Sequence, residues 1–314
     1  MKARIIWIGP SALDAKPIAL LAKIGGNGKV NKGGGQVIGF AVVSLALVEQ
    51  VLSDEHKDRQ TGHMGGVYLR AIKPTIDSVC HDACALKKNG KCYAQFNAQS
   101  TTEAVKMVRD AFLFEHCKPG WWIGYNQECS KTAAVSRIED LVTVGELGAG
   151  DYWRSMIVGS AAALPSYAMD AIKRTMGARE IAPLAYVEAW RDREDLKSSH
   201  MASCATIEEA REAIALGWRV FLSAPAEAIG NSIPEGFSMC PGSKYHENAG
   251  RKRISCTECG LCDGATDGDK RRSILNIRHG NGDASRVAGL VRRGVLGSLI
   301  INSKGRKVGA YVAA

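Results

Sequence analysis

Three cysteines, Cys256, Cys259 and Cys262, follow one another with two residues in each gap, and Cys240 with its Pro241 stands 15 intervening residues upstream. A thiolate at every third position of a short loop lets several sulfurs converge on one point. Such a loop gives up apolar packing and carries oxidisable groups, so its fold is dictated by what the sulfurs hold. A second set, Cys80, Cys84 and Cys92, lies in the stretch SVCHDACALKKNGKCYAQ. With Cys117, Cys129 and Cys204 the chain has 10 cysteines. In a chain read as cytoplasmic, that usage favours metal or redox chemistry over a disulfide framework. The three cysteines outside the sets read as single buried thiols.

Structural zinc usually draws its ligands from two separated pairs. A consecutive C-x2-C-x2-C run with a Cys-Pro at a distance lies closer to iron–sulfur ligation, although Cys240 precedes the run instead of following it. Iron–sulfur is therefore the first reading of the loop and zinc the second, with His246 a spare ligand. Cys80, Cys84 and Cys92 supply three ligands, which leaves one coordination position open, as in a catalytic site. His81, Asp82, Cys117 or Cys129 are the candidates for a fourth. One or two clusters are expected.

At 314 residues the chain accommodates one large α/β domain or two smaller ones. Its longest apolar run, the 12 residues from Val37 to Val48, falls well short of the roughly 20 a membrane span requires. The first residues have too short an apolar core for a secretory signal. A cytoplasmic protein is expected, in the host cell if the gene is carried by a phage. Of the net charge of +9, residues 244–307 carry nearly all, with 14 Lys and Arg against 6 Asp and Glu. Such a segment can attract nucleic acid or a nucleotide, offset the charge of a thiolate-ligated cluster, or form a solvated face.

Read in order, Arg4–Ile8 predicts a strand and residues 11–24 a helix. A glycine-rich break at 25–35 contains no phosphate-binding motif. Residues 36–52 predict a mostly buried helix and 66–73 a strand that feeds the first cysteine loop. Ser100-x-x-Glu103 is a capping box before a helix at 101–114. Residues 140–145 predict a strand, and Pro165 and Gly177 bracket a helix. Residues 181–188, 201–205, 219–223 and 273–278 predict further strands, with a helix capped by Thr206 and ended by Gly217. A last helix at 283–293 and a strand pair within 296–312 complete the chain. Repeated βα units predict an α/β fold with a mostly parallel sheet, closed into a TIM-like barrel or partial barrel in preference to an open doubly wound sheet. The expected organisation is a helical and stranded extension at 1–60, then a barrel-like domain at 61–314 with metal-binding loops at 74–99 and 238–272.

The string from Cys80 to Ala94, C-x3-C-x-L-K-x-x-G-x-C-Y-A, together with Cys240 to Cys262, resembles an uncharacterised cysteine-rich family common in bacteriophage genomes and some bacteria. Residues 188–190 and the TIEEAREAIALGW helix add to the likeness, which spans roughly residues 60–280 and implies no reaction. More distantly, the first set is similar to radical S-adenosylmethionine enzymes, whose three cluster cysteines lie on the loop after the first barrel strand beside an aromatic residue. That resemblance implies Tyr93 beside Cys92 as the aromatic and Gly145-Glu146, at the end of the next strand, as the binding point for the amino group of the cofactor. The spacing departs from that family, with seven residues between Cys84 and Cys92 instead of two. Glu146 and Asp151 then read as acids at the barrel mouth, or Asp151 as a helix N-cap; Glu188 reads either way.

The function expected is an iron–sulfur protein of radical S-adenosylmethionine type, acting on an anionic nucleotide or nucleic acid, with Cys80, Cys84 and Cys92 holding the reactive cluster. The alternative is a zinc-stabilised, non-catalytic protein that binds nucleic acid or a host partner.

Overall fold

The computed structural model describes residues 3–25, 35–61, 79–82, 105–111, 131–225, 229, 233–243, 254–277, 300–301 and 307–309. Two five-stranded sheets form, the first in the order β1 (Arg4–Pro10), β2 (Pro17–Ile24), β3 (Val37–Ser44), β4 (Tyr152–Arg154) and β5 (Ala182–Leu184). Its first three strands are antiparallel neighbours, and β4 joins β3 in parallel. The second sheet has the order β6 (Tyr186–Val187), β7 (Met201–Cys204), β8 (Val220–Ala224), β10 (Ser273–Ile277), β9 (Phe237–Met239). Every pairing in it is parallel. A short ladder of β11 (Ile300–Ile301) and β12 (Lys307–Gly309) matches the strand pair expected near the end of the chain.

The α/β class holds, but no closed barrel forms among the described residues. The reason lies in two apolar runs that read as helices and are strands. PIALLAKI and VIGFAVVS are buried along nearly their whole length, so they carry no alternation to separate a doubly covered strand from a buried helix. A turn over residues 11–16 decides the matter: the Ser11 amide donates to Lys16 O at 2.8 Å, and Asp14 Oδ1 accepts from the Lys16 amide at 3.1 Å. This turn folds β1 onto β2 as a hairpin where a barrel would need a crossover. The expected helix at 36–52 begins only at α1 (Leu45–Thr61), where Ser44 Oγ accepts from the Leu47 amide at 3.3 Å.

Two further expectations change. Residues 140–145 form the end of α2 (Lys131–Val144), so the β-branched Val142, Thr143 and Val144 sit in a helix against their propensity. The single strand expected at 181–188 is two, β5 and β6, belonging to different sheets. The helices with clear stop and start signals stand as read. Pro165 precedes α3 (Ser166–Ala178), and Thr206 Oγ1 accepts from the Glu209 amide at 3.2 Å to cap α4 (Ile207–Ala215). Residues 105–111 are helical, within the helix expected at 101–114. The strand at 66–73, the capping box at Ser100 and the helix at 283–293 lie outside the described residues.

The chain divides into two compact units, the first of residues 1–25 and 37–181, the second of residues 26–36 and 182–314. The boundary expected at residue 60 therefore falls inside the first unit, because β3 pairs with β4 across more than a hundred residues of chain. In that unit Ile5, Ile8, Leu21, Val43, Val48, Val108 and Val158 form one apolar cluster. Phe40, fully buried on β3, meets Trp153 edge to face at 6.3 Å between ring centres. In the second unit the inner strands alternate: Val220, Leu222 and Ala224 of β8 are buried, while Phe221 and Ser223 are half-buried.

Phe40→Ala is expected to lower the stability of the first unit by about 3–5 kcal/mol, the usual loss for a truncated core aromatic. Urea denaturation measures it; a loss of about 1 kcal/mol or less would show that the β3 core is not packed as described.

Candidate metal centre

Register fixes one face of the parallel sheet. Ser203, Phe221, Ile274 and Ser238 are paired neighbours in one row across β7, β8, β10 and β9. Tyr186, paired with Met201, and Arg219, two residues before Phe221, share that face. Cys240 extends β9, its amide donating to Leu275 O at 2.8 Å. The loop that begins there crosses to the opposite edge of the sheet, where the Ala185 amide donates to Cys262 O at 2.8 Å. Both ends of the cysteine loop are thus tied to sheet backbone.

Between these ties the C-x2-C segment forms a single helical turn, α5 (Cys256–Cys259). Ser255 Oγ accepts from the Glu258 amide at 3.2 Å, and Glu258 Oε2 accepts from the Ser255 amide at 2.8 Å, a complete capping box. Gly260 closes the turn in the left-handed region at φ +63° with its amide on Cys256 O. Four residues on, Gly264 lies on the backbone of Lys197, Ser198 and Ser199, where any Cβ would overlap main-chain atoms. The Ala265 amide donates to Lys197 O at 2.9 Å.

This architecture gathers sulfur. Cys262 and Cys259 are buried, and Cys240 and Cys256 are half-buried. Burial pushes the Cys262 thiol well above its ordinary range, and the neighbouring Cys240, Cys259 and Cys256 push it further. Cys259 shifts up in the same way, by burial first and then by Cys240 and Cys256. None of the six described cysteines forms a disulfide. Two donors are aimed at the sulfurs: the Leu261 amide at Cys259 and the Tyr186 hydroxyl at Cys262, each favouring the ionised form. A thiolate accepts such bonds far better than a neutral thiol, so these donors suit a ligating sulfur. No group of three or more His, Cys, Asp or Glu side chains among the described residues is drawn into coordinating geometry.

No family model matches this chain, and no curated protein or solved structure matches it.

Beside the thiols lies an ionic network that sequence reading missed. Arg219, 3% exposed, donates from Nη1 to Asp263 O at 3.0 Å and to Asp263 Oδ1, and from Nη2 to Arg272 O at 3.3 Å. Arg271 grips the same carboxylate at 2.8 and 2.6 Å and Asp269 Oδ2 at 2.5 Å. Asp263 directly follows Cys262, which was the available signal; Arg219 is 44 residues away and gave none. A cleft of about 660 Å³ opens beside the network, lined by charges of both signs that include Glu194, Lys197, Asp267, Lys270 and Arg272.

The other expected site residues fare differently. Cys80 is half-buried and packs against the apolar cluster of the first unit. Cys84, Cys92, Tyr93, Cys117, Cys129 and His246 lie outside the described residues. Gly145 and Glu146 end a helix and not a strand: Glu146 is exposed at φ +53°, and the Leu147 amide donates to Val142 O at 3.0 Å, a helix-terminating pattern. They do not stand at the strand end that the cofactor-binding reading required. Asp151 caps no helix; its Oδ2 accepts from the Gly148 amide at 3.0 Å in the turn that leads into β4. Glu188 is half-buried just after β6. No helix among the described residues is long and apolar enough to cross a membrane.

Cys204, at the end of β7, is a buried thiol as expected, pushed up to about 12 by burial and by Glu209. The folded protein holds this proton while the unfolded chain loses it near the ordinary 9.0, so its contribution to stability is whole below pH 9 and declines from there toward pH 12. Cys204→Ala should flatten the fall in stability across that window in denaturation curves taken at several pH values. An unchanged slope would place the thiol in water.

Proposed function

We propose that Cys240, Cys256, Cys259 and Cys262 hold a four-thiolate metal centre, and that the protein is an iron–sulfur protein in its second unit. The observation that carries this reading is that buried Cys262 has the other three cysteines as its electrostatic neighbours, although 15 residues separate Cys240 from the run. Unlinked, four such thiols would crowd an interior with groups that ordinary apolar residues pack better. The consecutive spacing supports iron–sulfur ligation.

Four protein ligands leave no open position, so this centre stores an electron or holds the loop in shape and does not bind substrate directly. An enzymatic role of radical S-adenosylmethionine type would need a second cluster at Cys80, Cys84 and Cys92. It rests on the sequence resemblance, with Gly145-Glu146 no longer among its supports. An anionic substrate is supported by the charge of residues 244–307 alone, and Arg271 within that segment is already engaged by Asp263 and Asp269. Zinc in the same four thiolates is the second reading, favoured by the tight C-x2-C turn that Gly260 closes.

Protein purified without oxygen should carry iron and inorganic sulfide and absorb broadly in the visible. Serine at any one of the four positions should remove most of the metal, while Cys204→Ser leaves it in place. Colourless protein with one zinc per chain assigns the second reading. Metal that survives all four substitutions, or protein with neither metal, overturns the centre.

A further inference from the structure

Three buried side-chain polar atoms among the described residues have no hydrogen-bond partner: Trp7 Nε1, Thr175 Oγ1 and Arg219 Nε. The third belongs to a full positive charge. Its Nη1 and Nη2 are committed to Asp263 and to Arg272 O, and the nearest carboxylate oxygen to Nε, Asp269 Oδ2, stands 3.8 Å away. A buried guanidinium donor without a hydrogen-bond partner is costly.

The same side chain lies on the sheet face beneath the cysteine loop, bonded to the peptide oxygen that follows Cys262. Asp263, which it grips, directly follows Cys262, and Arg219 shares its sheet face with Tyr186. We infer that Arg219 is the fixed counter-charge and hydrogen-bond donor of the thiolate centre, its Nε–H donating to a sulfur of the Cys259–Cys262 pair once metal is bound. Arg219 is then a positioning residue. Its rigid fork holds Asp263, and with it Cys262, while the remaining N–H offsets part of the negative charge that four thiolates bring. Lysine offers one mobile ammonium and cannot hold both contacts. This inference rests on the four-cysteine reading.

The test is titration of metal-free protein with Co(II), read by thiolate-to-cobalt charge transfer and by competition with a chelator. Wild type should show a four-thiolate cobalt site. Arg219→Gln should weaken the affinity about 10- to 100-fold, the range for loss of a partner that orients a ligand. Asp263 keeps Arg271 in that variant, so no buried carboxylate is stranded. Arg271→Gln, which removes an equal charge from the exposed side of the same carboxylate, should stay within about threefold of wild type. Should Arg219→Gln lose its circular dichroism, Arg219→Lys is read instead, with at least a several-fold loss expected. Wild type without thiolate–cobalt absorption sinks the centre itself. A normal cobalt site with Arg219→Gln, or its lysine substitute, equal to wild type overturns the role of Arg219 alone, as does an equal loss in Arg271→Gln.

Discussion

A thiolate in a dry interior needs a cation, and on the proposed reading that constraint organises the cysteine loop of the second unit. Cys259 and Cys262 are buried beside Cys240 and Cys256, so without a partner ion they stay protonated and contribute only as small apolar groups. Yet the Leu261 amide and the Tyr186 hydroxyl are directed at sulfur, and Arg219 lies beside them with a donor unspent. Donors arranged around sulfur in this way suit anions.

The sheet makes the gathering possible. Cys240 leaves one edge of five parallel strands and Cys262 is tied to the other. The intervening loop can cross only because it is pinned along the way, by the box of Ser255 and Glu258, the left-handed Gly260, and Gly264 pressed against the backbone of residues 197–199. Strand pairing between β10 and both of its neighbours sets the height at which Cys240 emerges. Energetics and topology therefore meet at Asp263, which is bound by both arginines and is the residue next to the last cysteine.

What the sequence disclosed depended on how local the cause was. The Thr206 cap, the Pro165 start and the strands β7, β8 and β10 are each specified by residues within a few positions and were legible, whereas the short edge strands β6 and β9 were not separately read. The first unit was not legible, because β2 and β3 are apolar on both faces and a fully buried strand has no period to read. The hairpin turn at residues 11–16 was the missing clue, hidden in a stretch whose apolar spacing imitated a helix. Gly145-Glu146 misled for a related reason: Val142, Thr143 and Val144 favour strands, yet they end α2, a helix that packs against α3 and in which only Val142 of the three is buried. Arg219 was invisible, since a single arginine at the start of a strand says nothing about a carboxylate 44 residues later.

The central claim is that these four sulfurs share one metal ion or cluster. X-ray absorption at the edge of the bound metal counts its ligands directly. The account predicts a shell of about four sulfurs, at about 2.3 Å if the metal is zinc, reduced by one when Cys240 is replaced by serine. A shell of nitrogen and oxygen, or a sulfur count indifferent to Cys240, would contradict it.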